Sequence, residues 1–199
     1  MSPSSDKLPA GSDQIAQWAR SRGVNYEGWP NQAWFRFWEP YDTMVSAAHY
    51  FNAITWQLSQ GSVTIAEPWT EDGDLEPMDR TILAFVNHAA LRFAASMRAG
   101  EHFITRVSFL TNPPPPKVKI GDPVWDEHVV TFAQSPEAAL NALPKPMRSL
   151  LKRWAFSGHI EIRPGAAVIH YAGLRPTPQH YEQLVRIVPE IVTAALTPG

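Results

Sequence analysis

The stretch His159-Ile160-Glu161-Ile162-Arg163-Pro164-Gly165-Ala166-Ala167-Val168-Ile169-His170 holds two alternating runs around a turn dipeptide, and its reading decides the fold. A turn centred on Pro164-Gly165 sets Arg163 opposite Ala166, hence Ile162 opposite Ala167 and Ile160 opposite Ile169, and these four side chains make one apolar face. The same register sets His159 opposite His170 and Glu161 opposite Val168 on the other face, with cross-strand Cβ atoms about 5 Å apart. Two imidazoles and a carboxylate form the ligand set of a two-histidine, one-carboxylate site, which takes iron or zinc with open positions. A solvated sheet face would carry the same three residues. Pro-Gly also favours a type II turn, and a three-residue loop would shift the pairing by one.

Working outward, Thr177 with Pro178 opens a last helix in which Tyr181, Leu184, Val185, Val188, Val192 and Ala195 line one side and Pro189 predicts a kink. Ser135 with Pro136 opens a short helix, and Pro144 and Pro146 end it and begin another with Met147, Leu150, Leu151 and Trp154 as its stripe. Strand patterns lie at Val118–Ile120, at His128–Phe132 and in a hairpin of His49–Leu58 with Ser62–Ala66. Asp79–Met97 fits both helical and strand spacing, and periodicity leaves it open. Phe103–Leu110 reads as strand, Glu71–Asp74 as an acidic loop, and Ser12–Arg22 as a helix with Ser12 as its cap and Gly23 as its stop. Residues 1–12 read as a disordered tail, and 13–199 as a single domain with two sub-lobes as the alternative, joined at the proline run Pro113–Pro116.

Composition narrows the function classes. There is no cysteine among the 199 residues, which removes thiolate catalysis and cysteine metal sites. Seventeen Lys and Arg against nineteen Asp and Glu leave a charge of -2, too balanced to steer the molecule to a polyanion, so nucleic acid is not an expected partner. The N-terminus lacks a signal-peptide pattern and no apolar run reaches about 18 residues, so a cytoplasmic protein without a transmembrane segment is expected. Nucleotide-binding glycine fingerprints, a P-loop, His-Glu-x-x-His and Gly-x-Ser-x-Gly are all missing.

Three further groups of residues carry chemistry. Ten of the 22 aromatic residues fall between residues 25 and 56. Reading 34–38 as a strand puts Trp34, Arg36 and Trp38 on one face and Phe35 and Phe37 on the other, which leaves a Trp-Arg-Trp face for a protein partner, self-association or a flat ligand. A strand buried on both sides of a Trp-rich core is the alternative. Asp126 and His128 share a strand face, with Asp122 near them across a turn, and a carboxylate orienting a histidine is what general-base chemistry needs. Aspartates closing local turns give the same pattern. Lys145, Arg148 and Lys152 form a helix row beside Arg153 that suits a phosphate or an acidic partner, or simply faces solvent.

The turn Gly121-Asp122-Pro123-Val124-Trp125-Asp126, preceded by Thr105-Arg106-Val107, resembles an uncharacterised bacterial domain of unknown function over roughly residues 105–196. The resemblance implies an α+β fold and a strand near residue 105. Taken together, the expected fold is α+β, with a mostly antiparallel sheet of short hairpins and helices at both termini and between strands. The expected function is a binding or assembly module with an aromatic surface and no cofactor. The alternative is a small enzyme that uses a transition metal at His159, Glu161 and His170, or Asp126 and His128 as acid and base.

Overall fold

A computed structural model describes residues 8–69, 76, 79–100 and 115–198 of the chain. The hairpin of residues 158–171 forms with the register that its alternation predicts: β8 (Gly158–Arg163) and β9 (Ala166–Tyr171) pair His159 with His170, Ile160 with Ile169 and Glu161 with Val168. Around it lie β1 (Asn25–Glu27), β2 (His49–Leu58), β3 (Gly61–Trp69), β4 (Leu83–His88), β5 (Ala95–Ala99), β6 (Lys117–Val118) and β7 (Val129–Phe132). The described strands make one sheet in the order β1-β2-β3-β4-β9-β8-β5-β7-β6, and every pairing is antiparallel. The fold is α+β, with helices at both ends of the described chain and between strands.

Helices α1 (Ser12–Arg22), α4 (Pro136–Ala142), α5 (Lys145–Arg153) and α6 (Pro178–Leu196) cover one face of the sheet. Ser135 and Thr177 accept hydrogen bonds from Ala138 N and His180 N, and a proline follows each cap at the first helical position, where no amide partner is lost. Gly23 ends α1 in the left-handed conformation (φ 65°), while Ser12 is the first helical residue rather than the cap, with its hydroxyl donating to Pro9 O. Under these helices pack Ile54, Val63, Ile65, Ala84, Val86, Met97, Ile160, Ile162, Ala167 and Ile169.

The opposite face carries a second core, in which Phe35, Trp38, Tyr41, Ala47 and Tyr50 sit on Ala53, Ala66, Leu83, Phe85 and Val168. The open segment Asp79–Met97 resolves into β4 and the start of β5, because an apolar residue on every position of Leu83–Val86 suits a strand buried on both faces. The strand expected at 34–38 is corrected: Gln32–Arg36 is a short helix, α2, capped by Asn31, whose side chain accepts from Ala33 N. Helical spacing brings the Trp34 and Trp38 rings to 5.3 Å from each other and both onto Phe85, and this packing outweighs the strand preference of aromatic residues. The expected strand Phe103–Leu110, the acidic loop Glu71–Asp74 and Pro113–Pro114 lie outside the described residues.

Strand β2 serves both cores because its register shifts between Phe51 and Ile54, where Asn52 takes a left-handed conformation (φ 52°). Tyr50 and Ile54, on one parity in the sequence, therefore point to opposite faces. Every polar group of Asn52 is engaged: its amide nitrogen donates to Glu67 Oε2 (2.8 Å), its side-chain oxygen accepts from Tyr26 Oη (2.8 Å), its carbonyl accepts from Tyr181 Oη (2.7 Å) and its backbone N–H donates to Gly28 O (3.0 Å). Glu67 is fully buried and takes both Nε (2.6 Å) and Nη2 (3.0 Å) of Arg80 together with Trp69 Nε1 (2.8 Å). Arg80 also donates to Ala10 O (2.8 Å), which ties the segment before α1 to the sheet.

Removing one partner of a buried, hydrogen-bonded ion pair leaves an uncompensated charge. Arg80→Ala is therefore expected to lower stability by about 3–5 kcal/mol. Urea denaturation of Arg80→Ala, Glu67→Gln and the double variant checks this, with the double variant expected to lose less than the sum of the two single variants.

Candidate functional site

The polar face of the β8–β9 hairpin is buried, not solvated. His159, Glu161 and His170 are 1%, 1% and 3% exposed, because neighbouring strands and the segment after α2 cover them. The strand β5 places Ser96 beside Glu161 and Arg98 beside His159, and β4 places Leu83 beside His170. The two imidazole rings lie 5.5 Å apart, and His170 Nε2 is 2.9 Å from the Thr81 hydroxyl. Gly158 opens β8 at φ 144°, where a side chain would collide with the carbonyl of His170, so only glycine lets the two strands meet there.

His159, Glu161 and His170, the three residues expected to hold a metal, do share one face of the hairpin. Among the described residues no group of three or more His, Asp or Glu is arranged to hold a metal ion. The carboxylate is spent elsewhere: Glu161 pairs with Arg163 and accepts the backbone N–H of Asp42 (2.6 Å), while Asp42 accepts from Ser96 Oγ (2.7 Å). Arg163 continues the same seam, donating to Trp38 O (3.0 Å) and to Pro40 O. Together these groups fasten residues 38–42 to the sheet.

Burial sets the protonation of this cluster. It holds His159 down to about 3, with the facing His170 and Arg98 adding to the effect, and it holds His170 down to about 4. Both imidazoles are neutral at pH 7. Burial also pushes the Glu161 carboxyl up to about 7 against the opposing pull of Arg163. The arrangement can position groups and respond to acid, while its rings sit below the surface.

Asp126 and His128 are not brought together. Both belong to α3 (Pro123–His128), so two residues of separation turn them to different sides instead of placing them on a common strand face. Asp126 accepts the N–H groups of Ile120 and Gly121, each at 3.0 Å, and His128 is solvent-exposed with Glu127 3.9 Å away. Asp122 caps α3 by accepting from Trp125 N, and its bond to Lys152 (2.6 Å), followed by the cap, holds its carboxyl below the ordinary range.

The aromatic segment presents a different residue from those the strand reading put forward. Trp38 is 6% exposed and Trp34 is half-buried, whereas Phe37 at the end of α2 is 85% exposed. Arg36 runs along the segment and donates to Ala47 O (2.6 Å) and Ala48 O (2.5 Å), while also pairing with Glu39 at 2.9 Å. Glu39 in turn accepts from Ala47 N (3.2 Å) and Tyr50 Oη (2.7 Å), and the Tyr50 and Tyr41 hydroxyls meet at 2.6 Å. Trp29, stacked edge-on against Phe51, is 37% exposed. The signal for Phe37 was in the sequence: helical spacing from Trp34 to Trp38 leaves residue 37 off the buried stripe. Asp42, Ser96, Glu67 and Arg80 had no such signal, since their partners lie 13 to 119 residues away.

An antiparallel sheet with a helical layer on one face and an aromatic segment on the other defines an α+β scaffold with two covered faces. In comparisons with known proteins, no family model and no curated protein matched the chain. The crystal structure of the mycobacterial trehalose monomycolate transport factor A, TtfA, is similar in fold, with a TM-score of 0.61 over 94% of this chain and 97% of that one, at 13% identity. No described helix is long and apolar enough to cross a membrane.

The two depressed imidazoles fix the sign of the acid response. The unfolded chain takes up protons near pH 6.5 while the folded histidines resist until about 3 and about 4, so their contribution is full above about pH 6.5 and declines as pH falls towards the folded values. Glu161 acts in the opposite sense, with a contribution that is full below about 4.5 and lost as pH rises through about 7. NMR titration should show both imidazoles still neutral at about pH 5. Glu161→Gln should remove the loss of stability between about pH 4.5 and 7 in urea denaturation and leave the histidine-linked decline towards lower pH in place.

Proposed function

We propose that this chain is a binding or assembly module that docks on a protein surface through the aromatic segment, with Phe37 as the inserted ring. The carrying observation is an 85% exposed phenylalanine on a segment whose backbone is pinned by two arginines. An aromatic residue whose backbone is already fixed has only its two side-chain torsions left to order on binding, which suits an interface anchor. Trp34, Arg36 and Trp38 enter this reading as support: the indoles hold α2 on Phe85, and Arg36, next to the exposed ring, is tied to the carbonyls of Ala47 and Ala48. Trp29 extends the aromatic surface.

Phe37→Ser tests the reading without disturbing the core, since the ring contributes almost no burial. Sedimentation velocity across a wide concentration range should show reversible association of the wild type that Phe37→Ser abolishes while melting remains unchanged. If the partner is a different chain, a photo-crosslinking residue at position 37 should give one defined adduct in cells of the source organism, absent for the same residue at Arg20. A wild type of constant monomer mass with equal labelling at both positions overturns the proposal.

A further inference from the structure

On the helical side of the sheet, away from Phe37, a cleft of about 580 Å³ opens between the β4–β5 connection, α4, the start of α5 and the end of α6. Its floor is apolar, with Leu91 and Ile162 buried at the base and Ala142 and Leu196 on the walls. Two large apolar side chains stand exposed at its edge, Phe93 at 49% and Leu140 at 38%. Three cations also line it, Arg92, Lys145 and Arg148, and no carboxylate does among the described residues.

Among the described residues these cations have no acidic partner, whereas Lys152, on the same helix row, is taken by Asp122 at 2.6 Å. Arg148 donates Nη1 to Leu143 O (2.5 Å), closing the end of α4, and this bond fixes the guanidinium at the mouth of the cleft. Its Nε is buried without a hydrogen-bond partner. Asp122 feels the charge of Arg148 but is bonded to Lys152 and to the N–H of Trp125.

We propose that this cleft is a binding site for a small amphiphilic anion, an aliphatic carboxylate whose tail lies on Leu91, Phe93, Leu140 and Ile162 and whose head group is held by Arg92, Lys145 and Arg148. Neither half of the lining explains itself alone: an apolar floor without charge would accept any hydrocarbon, and a cationic row without a floor would be an ordinary solvated helix face. The volume falls in the range of small-ligand sites, and the unopposed positive charge selects the sign of the head group. The site is independent of the aromatic segment, since the sheet lies between them.

Isothermal titration with decanoate, decanol, decyltrimethylammonium and acetate separates the contributions. Decanoate is expected to bind, decanol more weakly, and the cationic amphiphile and acetate not measurably. Arg92→Ala and Lys145→Ala, both at exposed positions, should each weaken decanoate by roughly tenfold, the size of one charge-assisted contact, and leave decanol unchanged. Phe93→Ser should weaken both ligands, and Phe37→Ser neither, which keeps this outcome distinct from that of the docking surface. Absence of decanoate binding, equal binding of decanoate and decanol, or decanoate affinity unaffected by both cation variants would each overturn the assignment.

Discussion

A carboxylate with no solvent exposure has to be matched donor for donor, and Glu67 is matched by Arg80, Trp69 and Asn52. The consequence reaches well beyond its own strand. By holding Asn52 in a left-handed conformation, the network stabilises the bulge at which β2 changes faces, so Tyr50 joins the aromatic core and Ile54 the helical one. Tyr181 of α6 and the carbonyl of Ala10 before α1 are drawn into the same network. A hydrophobic substitute could match the burial, but it would not specify the bulge.

The same logic of buried charge against backbone recurs on the far face. Arg36 and Arg163 do not pair with Glu39 and Glu161 alone; they donate to the carbonyls of Trp38, Pro40, Ala47 and Ala48. A segment with little regular structure of its own must satisfy its backbone groups somewhere, and here two guanidinium groups and two carboxylates, Glu39 and Glu161, do so. The aromatic surplus of residues 25–56 becomes intelligible on this footing. Five of its ten rings, Trp34, Phe35, Trp38, Tyr41 and Tyr50, form the layer over β2–β4, and Phe37 stands outside it.

Much of the architecture was legible because it rests on local rules. Alternation over residues 159–170 set the hairpin register, and Ser135 and Thr177, each followed by proline, marked the starts of α4 and α6. The reading of 34–38 failed because five aromatic and cationic residues satisfy a strand's parity as well as one helical turn, and only Phe85, some fifty residues away, decides between them. The pairing of Asp126 with His128 failed for a related reason. One turn of helix, nucleated by the Asp122 cap, displaced the strand on which they would have shared a face.

The amino-acid order by itself determined an antiparallel α+β scaffold and which residues of each strand lie together, because side-chain direction follows from a period of two and from turn chemistry. It also placed His159, Glu161 and His170 on a common face. What covers that face was decided only by the tertiary structure, since burial depends on elements brought from elsewhere in the chain. Asp42 comes from 119 residues away to meet Glu161, and the bulge at Asn52 exists only because Glu67, Tyr26 and Tyr181 converge on it.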